Sequence, residues 1–121
     1  MKRELEKKLV EKYPNLYKNY GGDMRETCMH WGFECGDGWY DLIDRLSAKL
    51  ELLNVVASQV KEKFGELRFY IEGWSDEVDD FISDAVAESC KTCERCGKEG
   101  ELRGRGWLRT LCDECEEKRG R

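Results

Sequence analysis

Two Cys-x-x-Cys pairs, Cys93-Glu94-Arg95-Cys96 and Cys112-Asp113-Glu114-Cys115, with fifteen residues between them, constrain this chain more than any other feature. Each pair is a short loop able to present two thiolates to one cation. Two such loops make the tetrahedral four-sulfur site that zinc prefers. The spacing therefore predicts one structural Zn2+ held by Cys93, Cys96, Cys112 and Cys115. A closed four-sulfur shell leaves no position for water or substrate, so such an ion supports the fold and does no chemistry. Iron can take the same ligands, and reduced structural thiols are the plainer alternative.

The residues between and around the pairs point to a compact module over 91–121. Gly97, directly after Cys96, suits a knuckle whose backbone N–H groups point at the sulfurs. Gly104 and Gly106 mark the turn of a short hairpin with strands near 101–103 and 107–111. After Cys112 the chain can enter a helical turn. Knuckle, hairpin and a second pair at a helix start describe a treble-clef-like or ribbon-like zinc module. Cys90, Cys93 and Cys96 are evenly spaced, so either neighbouring pair has knuckle spacing. Gly97 favours Cys93 and Cys96, which leaves Cys90 as a small buried group at the end of the preceding helix.

A segment of about thirty residues cannot bury enough surface to hold itself folded, and metal binding can supply that free energy. The 121-residue chain is polar, with 40% apolar and 39% charged residues, yet four Trp, five Tyr and four Phe supply bulk for a core. Seven cysteines without a charged-then-apolar leader suggest a reducing cytoplasm, where such pairs bind metal before they form disulfides. No run is long enough to cross a bilayer, so no membrane role is expected. The net charge of −5 disfavours a general phosphate-backbone binder. The charge is uneven: residues 1–92 sum to −6 and residues 93–121 to +1 before the thiolates are counted.

Ahead of the module, the hydrophobic pattern predicts an α+β body over residues 1–90, with three helices and a central β-hairpin. Leu5, Leu9 and Tyr13 recur four apart over residues 2–13 until Pro14 stops the helix. Residues 14–38, rich in glycine, read as irregular. Trp39, Ile43, Leu46, Leu50 and Leu53 form one face of a helix over 39–53. Residues 55–72 alternate as a hairpin turned by Lys63-Phe64-Gly65, with a helix through Val60 as the competing reading of its first half. Val56, Ser58, Val60 and Glu62 fall on one side of its first strand, and Leu67, Phe69 and Ile71 on one side of its second. Ser75 or Asp76 caps a helix over 76–90 carrying Val78, Phe81, Ile82, Ala85 and Val86. That helix runs directly into Cys93, so the module is expected to dock on the body.

Two further constellations could carry function. Residues 28–40 hold Cys28, His30, Trp31, Phe33, Cys35, Asp37, Trp39 and Tyr40. Cys28, His30 and Cys35 could make a second metal site only with Cys90 or a carboxylate as fourth ligand. The Cys28-x-His30 spacing is atypical for it. An enzyme using His30, Cys35 or Asp37 needs those groups to converge in a pocket. Trp31, Phe33, Asp37, Trp39 and Tyr40 could instead form a concave aromatic surface for a partner or small ligand, although core packing with an N-cap is the simpler reading. Arg103, Arg105, Trp107 and Arg109 make a basic-aromatic hairpin able to contact phosphates and stack a base. Interleaved acidic residues favour a plainer role, in which arginines shield the thiolate cluster and Trp107 packs over it.

Three stretches together resemble a known group. They are Phe33-Glu34-Cys35-Gly36-Asp37-Gly38-Trp39-Tyr40-Asp41-Leu42-Ile43, Val60-Lys61-Glu62-Lys63-Phe64-Gly65-Glu66-Leu67-Arg68-Phe69-Tyr70, and Cys93-x-x-Cys96 with Gly106-Trp107-Leu108-Arg109-Thr110-Leu111-Cys112. They look like a family of small proteins, most without an assigned activity, that tailed phages and prophages encode. The resemblance covers most of residues 30–115. It implies a bacterial host cytoplasm and an accessory role during infection, exerted by binding a host protein, defence systems included, or a phage protein. The sequence thus leads to a zinc-stabilised binding protein without catalysis. A nucleic-acid-binding regulator is its first rival, and an enzyme or small-ligand binder built on residues 28–40 its second.

Overall fold

A computed structural model describes residues 1–119 as a mixed α+β chain with four α-helices and two small sheets. No helix among these residues is long and apolar enough to cross a membrane. The first helix, α1 (Arg3–Lys12), buries Leu9 and ends where Pro14 forbids another helical turn. Residues 14–38, expected to be irregular, hold more order than that. Leu16 and Tyr17 are fully buried, and Cys28–Trp31 winds one 3-10 turn that buries Met29. Strand β1 (Phe33–Glu34) follows, and then a second 3-10 turn, Asp37–Trp39. Periodicity cannot reveal elements of two to four residues, because they are shorter than one repeat of the pattern.

Helix α2 (Tyr40–Leu50) buries Leu42, Ile43, Leu46 and Leu50. It starts one residue later and ends earlier than expected, because Trp39 belongs to the preceding 3-10 turn and residues 51–54 form a turn. Asn54 there takes φ +55°, a left-handed conformation that asparagine tolerates. Strands β2 (Val56–Lys63) and β3 (Glu66–Glu72) form the expected antiparallel hairpin. Phe64 and Gly65 both have positive φ, +56° and +78°, as a two-residue turn matched to strand twist requires.

Two findings correct the expected hairpin. The sheet has three strands in the order β1-β2-β3, with β1 parallel to β2 and Phe33 opposite Val60. The pairing also shifts between Ala57 and Gln59, a bulge at Ser58. Because of that extra residue, Ala57 and Val60 are buried while Val56 and Ser58 are only half-buried, so strict alternation fails in β2. In β3 it holds: Leu67 and Phe69 are buried and Tyr70 is exposed.

Helix α3 (Asp76–Ser89) starts at the expected cap, where the Ser75 hydroxyl accepts a hydrogen bond from the Val78 N–H at 3.2 Å. It lies against α2, and a bidentate pair joins Arg45 to Glu88, with Arg45 Nη1 3.0 Å from Glu88 Oε1. Ser89 rather than Cys90 is the buried residue at its end. Cys90 is exposed, which corrects the expected burial of that thiol. A second sheet, β4 (Glu101–Arg103) antiparallel to β5 (Arg109–Leu111), and the short helix α4 (Asp113–Arg119) complete the chain. Helix α4 is a fourth helix where the pattern gave three, the expected helical turn after Cys112 having continued to Arg119.

Candidate metal centre

The chain between α3 and β4 turns back on itself as a knuckle. Thr92 bridges to Glu99, the Cys93 N–H donates to the Lys98 carbonyl at 2.7 Å, and the Gly97 N–H donates to the Cys93 carbonyl at 2.9 Å. Gly97 has φ +85°, which favours glycine there. Strands β4 and β5 carry the chain to Cys112, and the first turn of α4 places Cys115. The sulfurs of Cys93, Cys96, Cys112 and Cys115 thereby lie within 4.8 Å of one another, with Cys96 Sγ 3.6 Å from Cys112 Sγ. Four sulfurs bound about 2.3 Å from one ion at tetrahedral angles stand about 3.8 Å apart. A disulfide would bring two of them to about 2.05 Å. The spacing is compatible with a metal site and is too wide for a disulfide between Cys96 and Cys112.

Electrostatics agree with the spacing. Burial opposes ionisation of Cys93, yet backbone donors of Cys112, Cys96 and Arg95 outweigh it and bring this thiol down to about 7. Burial, its thiol neighbours and the Cys93 charge push Cys115 up to about 12. A lowered Cys93 beside a raised Cys115 is what crowded thiols show, and a cation among them would favour the thiolate form of all four.

The cluster is fastened to the rest of the chain through Glu94, which lies inside the first Cys-x-x-Cys pair and is only 2% exposed. Its carboxylate accepts from the Gly36 N–H at 2.7 Å and from Arg109 Nε at 3.1 Å and Nη2 at 3.0 Å. Its carbonyl accepts from the Gly38 N–H at 2.8 Å, and its own N–H donates to the Thr110 carbonyl at 2.9 Å. Burial raises the Glu94 carboxyl against the opposing pull of Arg109 and the Gly36 N–H. Every donor around it is an N–H and one is a guanidinium, so the geometry is that of a buried carboxylate.

Gly36 and Gly38 are small for this contact. A Cβ at Gly36 would stand 2.3 Å from the Glu94 carbonyl oxygen, and one at Gly38 would stand 2.2 Å from that of Cys93. Two further bonds complete the seat. Trp39 Nε1 donates to the Thr92 carbonyl at 2.8 Å, and the buried Thr110 hydroxyl donates to the Gly65 carbonyl at 2.6 Å. The three stretches quoted for the sequence resemblance therefore meet here: Gly36-Asp37-Gly38-Trp39, the Gly65 turn and the cysteine-bearing segments. Sequence reasoning missed Glu94. A charged residue inside a knuckle ordinarily faces solvent, and its partners lie 15 and 58 positions away.

The other candidates disperse. Among the described residues only the four cysteines above form a cluster of metal-ligating groups, so Cys28, His30 and Cys35 are not gathered into a second site. Cys28 is exposed, and His30 is exposed with Nδ1 2.7 Å from the Gly22 carbonyl. Burial pushes the Cys35 thiol up to about 12, which leaves it unreactive at neutral pH. Asp37 accepts from the Lys2 N–H at 2.7 Å. The expected aromatic surface is split: Phe33 and Trp39 are core residues, Tyr40 is half-buried and Trp31 is exposed.

The basic hairpin is split too. Arg103 donates to the Leu111 carbonyl at 3.0 Å and pairs with Asp113 at 2.6 Å, while Arg109 serves Glu94. Arg105 is exposed in the turn, and Trp107 stands out from the surface instead of packing over the sulfurs. Comparisons with protein-family models, with curated proteins and with solved structures give no match to this chain.

Proposed function

We propose that this chain is a non-catalytic binding protein whose C-terminal treble-clef-like module holds one structural zinc ion. In this reading it engages a host or phage protein in a bacterial cytoplasm. The observation that carries the metal is the four-sulfur cluster with all sulfurs within 4.8 Å. Zinc is the ion that favours four thiolates at tetrahedral angles without redox chemistry. A four-sulfur shell is closed to substrate, and the groups that could have served an enzyme are apart or, in Cys35, buried and unreactive.

Exposed aromatics support the binding half. Trp31, Trp74 and Trp107 are 61%, 70% and 71% exposed, and only Trp39 serves the core. Tryptophan is among the residues most enriched at protein interfaces, where its indole becomes an anchor. The phage setting and the choice of a host protein rest on the sequence resemblance.

Elemental analysis of the purified chain tests the metal, with about one zinc per chain expected and none after Cys93→Ser with Cys96→Ser. A chain purified with iron or no metal counts against it. Affinity capture from bacterial lysate tests the binding half. A stoichiometric partner retained by the zinc-loaded chain and lost with Trp31→Ala or Trp74→Ala is the expected result. Retention indifferent to both variants contradicts the assigned anchors.

A further inference from the structure

Beside the metal centre, Arg95, Trp107, Arg109, Leu111, Lys118 and Arg119 line a cleft of about 360 Å³. Four of the six are cations, drawn from the knuckle, β5 and α4, and among the described residues no acidic side chain lines it. Two of the cations are already engaged. Arg109 holds Glu94, and Arg119 pairs with Glu116 and donates to the Arg103 and Trp107 carbonyls. Arg95 and Lys118 are exposed and make no ion pair among the described residues. The indole of Trp107, 71% exposed, is the aromatic of the cleft.

The geometry points to a nucleotide-binding cleft, with Arg95 and Lys118 meeting a phosphate and Trp107 stacking the base. This goes beyond the protein-binding reading and rests only on its metal, which would hold the knuckle and α4 in place; zinc content measured beside binding keeps the two failures distinguishable. Cations alone could simply offset the negative thiolate cluster, but offsetting charge does not require an exposed indole among them. A flat π-system is what an indole beside cations recognises, and an anion is what two cations without an ion pair among the described residues recognise. A nucleotide carries both. An acidic peptide supplies carboxylates without the ring.

A volume near 360 Å³ lies at the low end of small-ligand sites, roughly 300–1,000 Å³. It suits one nucleotide. It does not suit a duplex, which needs a long basic surface that a chain of net charge −5 lacks. The nucleotide can be free or part of a single strand, and the chemistry in the cleft is the same for both.

Calorimetric titration of the zinc-loaded full chain at low salt tests this, with adenosine diphosphate in one arm and a single-stranded oligodeoxyadenylate of about ten residues in the other. Binding of the diphosphate assigns the site to free nucleotides. Binding of the oligonucleotide alone assigns it to single strands. In either case Trp107→Ala is expected to weaken binding about fivefold or more, because stacking on an indole is worth roughly 1–3 kcal/mol per base. Arg95→Ala with Lys118→Ala is expected to abolish it, and Arg105→Ala, outside the cleft, to leave it unchanged. Zinc content measured for each variant separates a lost contact from a lost fold, and Trp107, whose side chain holds no ligand sulfur, serves if the Arg95 variant loses metal. No binding of either probe overturns the inference. Binding unmoved by Trp107→Ala, or displaced as readily by polyglutamate as by the diphosphate, also overturns it.

Discussion

At the scale of single residues, Glu94 ties more of this molecule together than any ligand cysteine does. Its carboxylate, carbonyl and N–H all have partners, and these reach the Gly36 turn, Arg109 and Thr110. A carboxylate this buried is tolerable only because a guanidinium and a backbone donor compensate its lost hydration. Replacing Glu94 by Ala strands the Gly36 N–H and the Arg109 guanidinium. We expect Glu94→Ala to lower stability by roughly 3 kcal/mol, read as the shift in urea midpoint, the buried-pair range reduced because Arg109 remains partly exposed. Metal content is expected to survive, since Glu94 supplies no sulfur. A neutral effect on the midpoint contradicts the role given to this residue.

At the scale of elements, the join of α1 to α2 shows how charge reinforces packing. Asp44 on α2 accepts from Lys12 Nζ at 2.7 Å and from the Tyr13 hydroxyl at 2.6 Å. Burial alone would raise the Asp44 carboxyl, but these two donors outweigh burial and hold it below its ordinary value. The folded chain therefore releases that proton more readily than the unfolded chain. The contact stabilises fully above the ordinary carboxylate range and is lost as pH falls through the depressed value. Stability of the natural chain is expected to fall more steeply below about pH 4 than that of Asp44→Asn, by thermal melts across an acid series. Parallel slopes contradict it.

Elements with long patterns or caps could be read from the sequence. Helix α3 follows from Ser75 and the Val78 stripe, β3 from Leu67 and Phe69, and the knuckle from Gly97. Strand β1 could not, because two residues make no pattern and its pairing with β2 depends on a contact from Phe33 to Val60. The Ser58 bulge was hidden for the opposite reason: the alternation through Val56, Ser58 and Val60 looks regular, and only the pairing with β3 shows the extra residue. Phe33 and Trp39 looked like surface candidates because a sequence cannot separate an aromatic that anchors a partner from one that fills a core. The four cysteines were legible because their chemistry demands their spacing. Glu94 was not, because its partners come from remote turns.

At the scale of the whole molecule, the cysteine cluster is part of the body's architecture and not an appendage. Gly36, Gly38 and Trp39 precede α2, and Gly65 turns the β2–β3 hairpin. All of them contact the knuckle or β5, at Cys93, Glu94, Thr92 and Thr110. A cation that holds the knuckle in shape therefore also holds the surface on which Trp39 and the hairpin turn rest. Metal binding coupled to folding in this way acts on the entire chain. The most direct measurement is thermal unfolding of the zinc-loaded chain with and without a strong chelator, followed at once by near-ultraviolet dichroism of the aromatic core and by far-ultraviolet dichroism of the helices. The expected result is one coincident transition that moves to lower temperature in both signals when the metal is removed. A core transition that stays in place while zinc is quantitatively lost contradicts the account.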